Sequence, residues 1–302
     1  AVIADEQHRF GVAQRAALSA KGEMPHVLVM SATPIPRTLA LIMYGDLDVS
    51  ILDETPPGRS PVETYAVGEN MRRRITAFIE KQLAAGGPVY VVCPLVEDGE
   101  GDSRLKSAEQ HAKDLQAQLP HRRVAVLHGR MKNAEKDAVM RDFAAQKYDI
   151  LVATTVIEVG VDVPNANLMV VEDADRFGLS QLHQLRGRVG RGTRQSYCVF
   201  FGADKGATAR ERLKILCKTN DGFEIARADL SQRGPGDFFG QRQHGLPQLG
   251  IADLAADMRV LKEAQQAAQA LLEADPGLSR REHAPLLGRV RRLFAQHGDM
   301  FN

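Results

Sequence analysis

The hydrophobic pattern of this chain predicts an α/β protein with a doubly wound parallel sheet. Short apolar runs of strand length recur through residues 62–203, at 62–67, 88–93, 123–127, 149–153, 167–172 and 195–201, with helix-length stretches between most of them. Strands this apolar need helices on both faces of their sheet. Ligands on such sheets sit beyond the carboxyl ends of the strands. The residues with unusual chemistry fall there: Glu97, His128-Gly129, Thr154-Thr155 and Glu172-Asp173.

Upstream, residues 1–52 read as a second, shorter piece of parallel sheet. It has a strand at 1–4, a helix at about 11–21, a strand at Val27-Leu-Val-Met30, a helix at about 36–44 and a short strand at about 48–52. Asp53 to Pro61 holds three prolines and a glycine in nine residues and reads as an interdomain linker. After 203 come two helical segments at about 207–218 and 222–230, a glycine-rich loop over 233–250, an alanine-rich helix at about 252–274 and a last helix near 285–296. The segments are therefore 1–52, 53–61, 62–203, 204–250 and 251–302.

With 302 residues, 44% of them hydrophobic, the chain can bury a sizeable core in about two domains. Thirty-nine Lys and Arg against 38 Asp and Glu leave a net charge of +1, so any polyanion must be met by local basic patches. Cys93, Cys198 and Cys217 are odd in number and far apart, which argues against a disulfide framework or a zinc site and fits a reducing cytoplasm. No apolar run approaches the ~20 residues of a membrane span. The opening Ala-Val-Ile-Ala is a buried-strand pattern, and the expectation is that the chain starts inside a domain.

The most informative run is Gln181-Leu-His-Gln184-Leu-Arg186-Gly-Arg188-Val-Gly-Arg191. Continued as a helix, it places Gln181, Gln184, Arg188 and Arg191 within about 80° of one another, beside an apolar stripe of Leu182, Leu185 and Val189. Planar guanidinium forks kept near the backbone by Gly187 and Gly190 suit a polyanion such as a triphosphate. Asp5-Glu6-Gln7-His8 follows a buried strand, so both carboxylates leave its carboxyl end. One acid can hold Mg²⁺ through water while its neighbour orients the water that attacks a phosphate. Ser31-Ala-Thr33-Pro-Ile-Pro-Arg37 also follows a strand, and its hydroxyls can bridge the acid pair to a neighbouring domain. Thr154 and Thr155, at a strand end that opens a helix, offer an anion site to a DNA phosphate. The acidic stretch Glu97 to Asp102 lacks the ligand spacing of a calcium loop and reads as solvated.

Together, the acid box, the Ser-Ala-Thr turn and the Gln-x-x-x-Arg-x-x-Arg run resemble the motor core of superfamily two helicases. That resemblance implies two RecA-like P-loop NTPase lobes that clamp ATP, with a partial first lobe here (1–52) and a complete second lobe (62–203). It implies that Asp5 and Glu6 serve magnesium and water, that Gln184, Arg188 and Arg191 sense the γ-phosphate with Arg191 as finger, and that His8, Ser31, Thr33, Gly160 and Asp162 bind nucleotide or couple the lobes. Gly129, Arg130, Lys132, Thr154 and Thr155 would then touch the tracked DNA strand. Asp221 to Gly245 resembles the translocation hairpin and loop of the RecG family of branched-DNA helicases and of transcription-repair coupling factors, with Arg212, Arg233 and Gln243 at its functional positions. Tyr44 to Arg59 and Arg9-Phe-Gly-Val12 favour the RecG family.

The implied cofactors are ATP and Mg²⁺. The implied partners are branched or duplex DNA and an upstream part of the same protein, with no membrane and a monomeric state. No GxxxxGK[S/T] loop occurs in the sequence, so these residues alone are expected not to hydrolyse ATP. A coupling-factor motor and a catalytically silent DNA-binding module are the alternatives.

Overall fold

The computed structural model describes residues 1–5, 26–31, 50–52, 54, 60–94, 102–154, 163–238 and 258–296. Two parallel strands, β1 (Val2–Ala4) and β2 (Val27–Val29), pair in the register Val2↔Val27 to Ala4↔Val29. The main sheet contains β3 (Glu63–Val67), β4 (Val89–Val92), β5 (Val124–Leu127), β6 (Ile150–Ala153), β7 (Leu168–Val171) and β8 (Tyr197–Phe201). All its pairings are parallel, and the order across the sheet is β3-β8-β7-β4-β6-β5.

Five helices accompany this sheet: α1 (Arg72–Ala84), α2 (Asp102–Gln118), α3 (Asn133–Ala144), α4 (Leu179–Arg186) and α5 (Ala207–Lys218). Because successive strand side chains point to opposite faces, one run such as Val89-Tyr-Val-Val92 feeds two cores. Tyr90, Val92, Leu151 and Met169 pack with Met140 and Phe143 of α3, Leu182 of α4 and Leu213 of α5. Val89, Val91, Ile150 and Val170 pack with Ile75 and Ile79 of α1 and Leu115 of α2. Burial pushes the Cys93 thiol up to about 12, and Cys198 is likewise buried and raised, so both are neutral packing groups.

Three more helices follow: α6 (Gly222–Phe238), α7 (Met258–Ala274) and α8 (Ala284–Gln296). By compactness the chain divides within α6: residues 52–226 belong to one unit with the two-stranded sheet, and residues from Arg227 onward to a second. α6 departs from expectation, running through Gly234, Pro235 and Gly236 where a loop was predicted. Glycine and proline cost a helix about 1 and 3 kcal/mol, but a helix already nucleated gains a hydrogen bond at each added residue other than proline. The strand expected at about 48–52 is not formed by its described residues 50–52, and Leu52 is 93% exposed there.

Candidate functional site

Asp5 and Ser31 leave the carboxyl ends of adjacent strands. The pairing Ala4↔Val29, extended by Met30 N donating to Ala4 O at 2.8 Å, brings the start of the acid box beside the start of the Ser-Ala-Thr turn. Glu6, His8 and Thr33 lie outside the described residues.

The arginine run is not one continuous helix. α4 stops at Arg186, and the chain turns through Gly187 to Gly190, whose φ of +75° suits glycine. A Cβ on Gly190 would stand 2.8 Å from Val62 Cγ2, so the site excludes larger residues for packing as well. Gln184 therefore stays on the helix, while Arg188 and Arg191 are carried on the turn after it, and the single helical face expected for them is corrected. Val189 is fully buried and anchors that turn. Arg191 is exposed, and its Nε donates to Gly187 O at 3.2 Å, which folds the side chain back across the turn.

Two arginines join α4 to α5. Arg186 is 2% exposed and donates through Nη1 to the carbonyls of Leu216 at 2.7 Å and Thr219 at 3.0 Å; its Nη2 lies 3.0 Å from His183 Nδ1. Burial lowers its pKa. The compensation comes from carbonyls at the carboxyl end of α5, the negative end of a helix dipole. At the other end, Arg212 of α5 donates to the carbonyls of Asp175 at 3.2 Å and Phe177 at 2.7 Å, just before α4 begins. The guanidinium of Arg212 thus holds α5 against the segment that leads into α4. Arg233 lies on α6, with only its backbone described, and Gln243 is outside the described residues.

Along the main sheet's carboxyl edge, Thr154 N donates to Leu127 O at 3.1 Å. The strand ends carrying Thr154 and His128-Gly129-Arg130 are therefore neighbours. Gly129, Arg130 and Lys132 are exposed. Lys132 N donates to Glu135 Oε2 at 3.0 Å, an acidic cap at the start of α3. Thr154 is 3% exposed, and its hydroxyl and His128 Nδ1 are buried without a hydrogen-bond partner among the described residues. Each such group costs about 1–3 kcal/mol when left unpaired. Thr155, Gly160 and Asp162 lie outside the described residues.

The structure also gives Glu172, one of the strand-end acids, partners that the sequence does not signal. Glu172, directly after β7 and 8% exposed, accepts from Arg72 Nη1 at 2.6 Å and Nη2 at 2.8 Å, and His111 Nε2 lies 3.3 Å from its Oε1. Burial opposes ionisation of Glu172, but hydrogen bonds from His111 and Arg72 outweigh it and hold the carboxyl below its usual range. Arg72 also pairs with Glu69 at 2.6 Å and stacks 3.9 Å over the Phe201 ring. These groups border a cavity of about 300 Å³ whose floor is Ile75, Ile79, Val91 and Val170. Arg186 carried a readable signal, since it falls on the apolar stripe of its helix four residues after Leu182. Glu172 stood out only by its place at a strand end, and Arg72, 100 residues away, carried no signal.

Comparison with known proteins agrees with this geometry. Residues 72–193 match the helicase conserved C-terminal domain, and residues 219–297 match domain 3, C-terminal, of ATP-dependent DNA helicase RecG. The chain is 51% identical over 303 aligned residues to the ATP-dependent DNA helicase RecG of Bacillus subtilis, covering 99% of this chain and 44% of that protein. It is 50% identical to the Synechocystis protein of the same name, covering 92% of this chain and 33% of that protein. A solved structure of RecG bound to a three-way DNA junction matches with a TM-score of 0.68 at 47% identity, covering 86% of this chain and 33% of that one. The Mycobacterium smegmatis helicase Lhr, at 19% identity and a TM-score of 0.52 over 73% of this chain and 31% of that one, shares the fold alone. The main sheet lobe is thus a RecA-like helicase C-terminal lobe. The chain spans less than half the length of these relatives.

Proposed function

The chain belongs to the RecG family, and from that premise we propose that it is motor machinery of an ATP-dependent DNA helicase that remodels stalled forks and Holliday junctions in recombination and repair, in the bacterial cytoplasm on the nucleoid. The observation that carries this reading is the glycine-stopped turn bearing Arg188 and Arg191, whose parent helix is bolted at both ends to α5. A side chain that senses nucleotide there is one rigid step from the segment that leads into α6.

In this reading residues 1–52 are the end of a first lobe, 53–61 a linker, 62–203 the second lobe, 204–250 the translocation hairpin and loop, and 251–302 a helical tail. Bound ATP with Mg²⁺ supplies the phosphoryl group whose transfer to water drives movement. The residues present suit it: Asp5 offers a carboxylate directly after β1. Magnesium keeps several waters and needs only one or two protein carboxylates, and Asp5 would hold it through water. Glu6 would orient the attacking water, and Gln184, Arg188 and Arg191 would neutralise charge at the γ-phosphate. His8, Ser31, Thr33, Gly160 and Asp162 line the nucleotide or couple the lobes. Gly129, Arg130, Lys132, Thr154 and Thr155 hold the DNA backbone, while Arg212, Arg233 and Gln243 serve translocation. Exposed Ile3 and Leu28 on the small sheet, 64% and 53%, support cover by upstream strands of the same protein. The working species is a monomer.

The test is ATP hydrolysis by the complete gene product, with and without forked DNA, beside Arg191→Ala. DNA-stimulated turnover lost in the variant supports the motor. Turnover absent while DNA still binds would favour a silent binding module, and capture of RNA polymerase would favour a coupling factor. The 302 residues alone, without a P-loop in their sequence, are expected to be inactive.

A further inference from the structure

We infer that the arginine face of α8 is a second nucleic-acid contact of this chain, with Arg289, Arg291 and Arg292, preceded by Arg281, meeting the phosphates of a DNA duplex; this rests on the DNA motor reading given above. Residues 280–296 hold five arginines, no lysine and one acid, Glu282. The whole chain has a net charge of only +1, so its other residues carry more acids than bases, and this segment is a local basic patch of the kind a polyanion requires.

The segment is built to present that charge. Asp275, 5% exposed, accepts from Ser279 N, Ser279 Oγ and Arg280 N at 2.9–3.0 Å and fixes the turn before α8. The one acid is occupied inside that turn, with Glu282 Oε1 3.7 Å from His283 Nε2 and 4.0 Å from Arg280 Nη1. Arg280 Nη2 also donates to Ala274 O at 3.1 Å. α8 itself contains no Asp or Glu. Projected at about 100° per residue, Leu286, Leu287 and Val290 share about 100° of its circumference, and Arg289, Arg291 and Arg292 take about 160° of the rest. Leu287 and Val290 are half-buried, whereas Arg281, Arg289, Arg291 and Arg292 are exposed, so the arginines lie on the more open side.

Other helices of the chain mix their charges. On α5, Lys214 pairs with Glu211 at 2.7 Å, and on α3, Glu135, Lys136, Asp137, Arg141 and Asp142 alternate in sign. Like charges one turn apart, as on Arg289 and Arg292, destabilise a helix, so the pattern on α8 costs stability until an anion arrives. The planar fork of arginine suits phosphate bidentately. Arg289 to Arg292 span about 4.5 Å of helix axis, and duplex DNA carries one charge per about 1.7 Å. One turn of α8 can therefore meet two or three phosphates.

Binding of a fluorescent three-way junction to the complete gene product is measured between about 50 and 200 mM salt for R289Q/R291Q/R292Q and for R289K/R291K/R292K. The glutamine variant should bind about 10- to 100-fold more weakly at the low-salt end, and its plot of log affinity against log salt should be shallower by about 2 to 3, close to one unit of slope for each lost contact. The lysine variant should keep the slope of the parent, because an ammonium still displaces a counterion. ATP turnover at saturating DNA should be unchanged in both. An unchanged slope in the glutamine variant overturns the proposal and leaves these arginines to an acidic protein partner. Equal weakening in both variants would mean damaged packing of α8 and overturns it as well. Failure of the motor reading shows separately, as a parent protein whose ATP turnover DNA does not stimulate.

Discussion

The two parallel sheets of this chain are written in the same alphabet and end differently. Val-Ile-Ala and Val-Leu-Val form a two-stranded pair whose Ile3, Val27 and Leu28 are 64%, 43% and 53% exposed, while Val89 to Val92, Ile150 to Ala153 and Leu168 to Val171 are at most 2% exposed. Strand composition is therefore not what buries a strand. The main sheet has six strands and helices on both faces; a two-stranded pair has too little surface of its own to close a core. In layout, however, the sheets are alike, since each carries polar residues directly beyond its carboxyl ends, Asp5 and Ser31 on one and His128 and Thr154 on the other.

The sharpest test of that likeness is kinetic. If both edges serve one nucleotide, Asp5→Asn and Arg191→Ala each lower kcat of the complete protein by about 10³-fold or more, and the double variant loses little beyond the worse single one, because groups that act as a unit are non-additive. Independent, multiplicative losses would break the comparison.

Next in size is the main sheet's own fastening. Glu172→Ala leaves the Arg72 guanidinium beside a half-buried gap and should cost about 3 kcal/mol in denaturant unfolding of the chain. A loss below about 1 kcal/mol would mean that Glu69 alone satisfies Arg72. Glu172 also predicts the acid limb of stability. Its folded pKa lies below its ordinary value of about 4.3, so its contribution is complete above that pH and declines as pH falls through the depressed folded value. Unfolding curves between pH 6 and pH 3 check this, and Glu172→Gln should flatten that limb.

Asp275, in the turn between α7 and α8, follows the same sign. It accepts from Ser279 N, Arg280 N and the Ser279 hydroxyl at 2.9–3.0 Å, and His283 Nδ1 lies 2.7 Å away. Hydrogen bonds from Arg280 and His283 hold its carboxyl well below the usual range. Asp275→Asn should speed amide exchange in that turn and leave the main sheet protected. The smallest effect is expected on the small sheet: Leu28→Ser changes the stability of these 302 residues by no more than about 0.5 kcal/mol. A larger loss would show that Leu28 is covered after all.

Five of the six strands of the main sheet were legible as apolar runs bounded by polar turns, β3 reading Glu-Thr-Tyr-Ala-Val, and all six were found within a residue or two of their observed ends. The stop of α4 was less so. A helical projection carries Arg188 and Arg191 onward from Gln184, and only the left-handed backbone at Gly190, with Val62 against it, shows that they ride a turn. α6 erred the other way, because propensity is local and helix extension is cooperative.

By itself the sequence specified the parallel sheet, its helical cover and the residue types at each strand end, since periodicity and polarity are properties of neighbours along the chain. Tertiary structure alone decided which distant groups meet: Arg72 with Glu172, Arg186 with the end of α5, His128 beside Thr154. Those meetings depend on the strand order β3-β8-β7-β4-β6-β5, which brings together residues tens to a hundred positions apart and which no local pattern encodes.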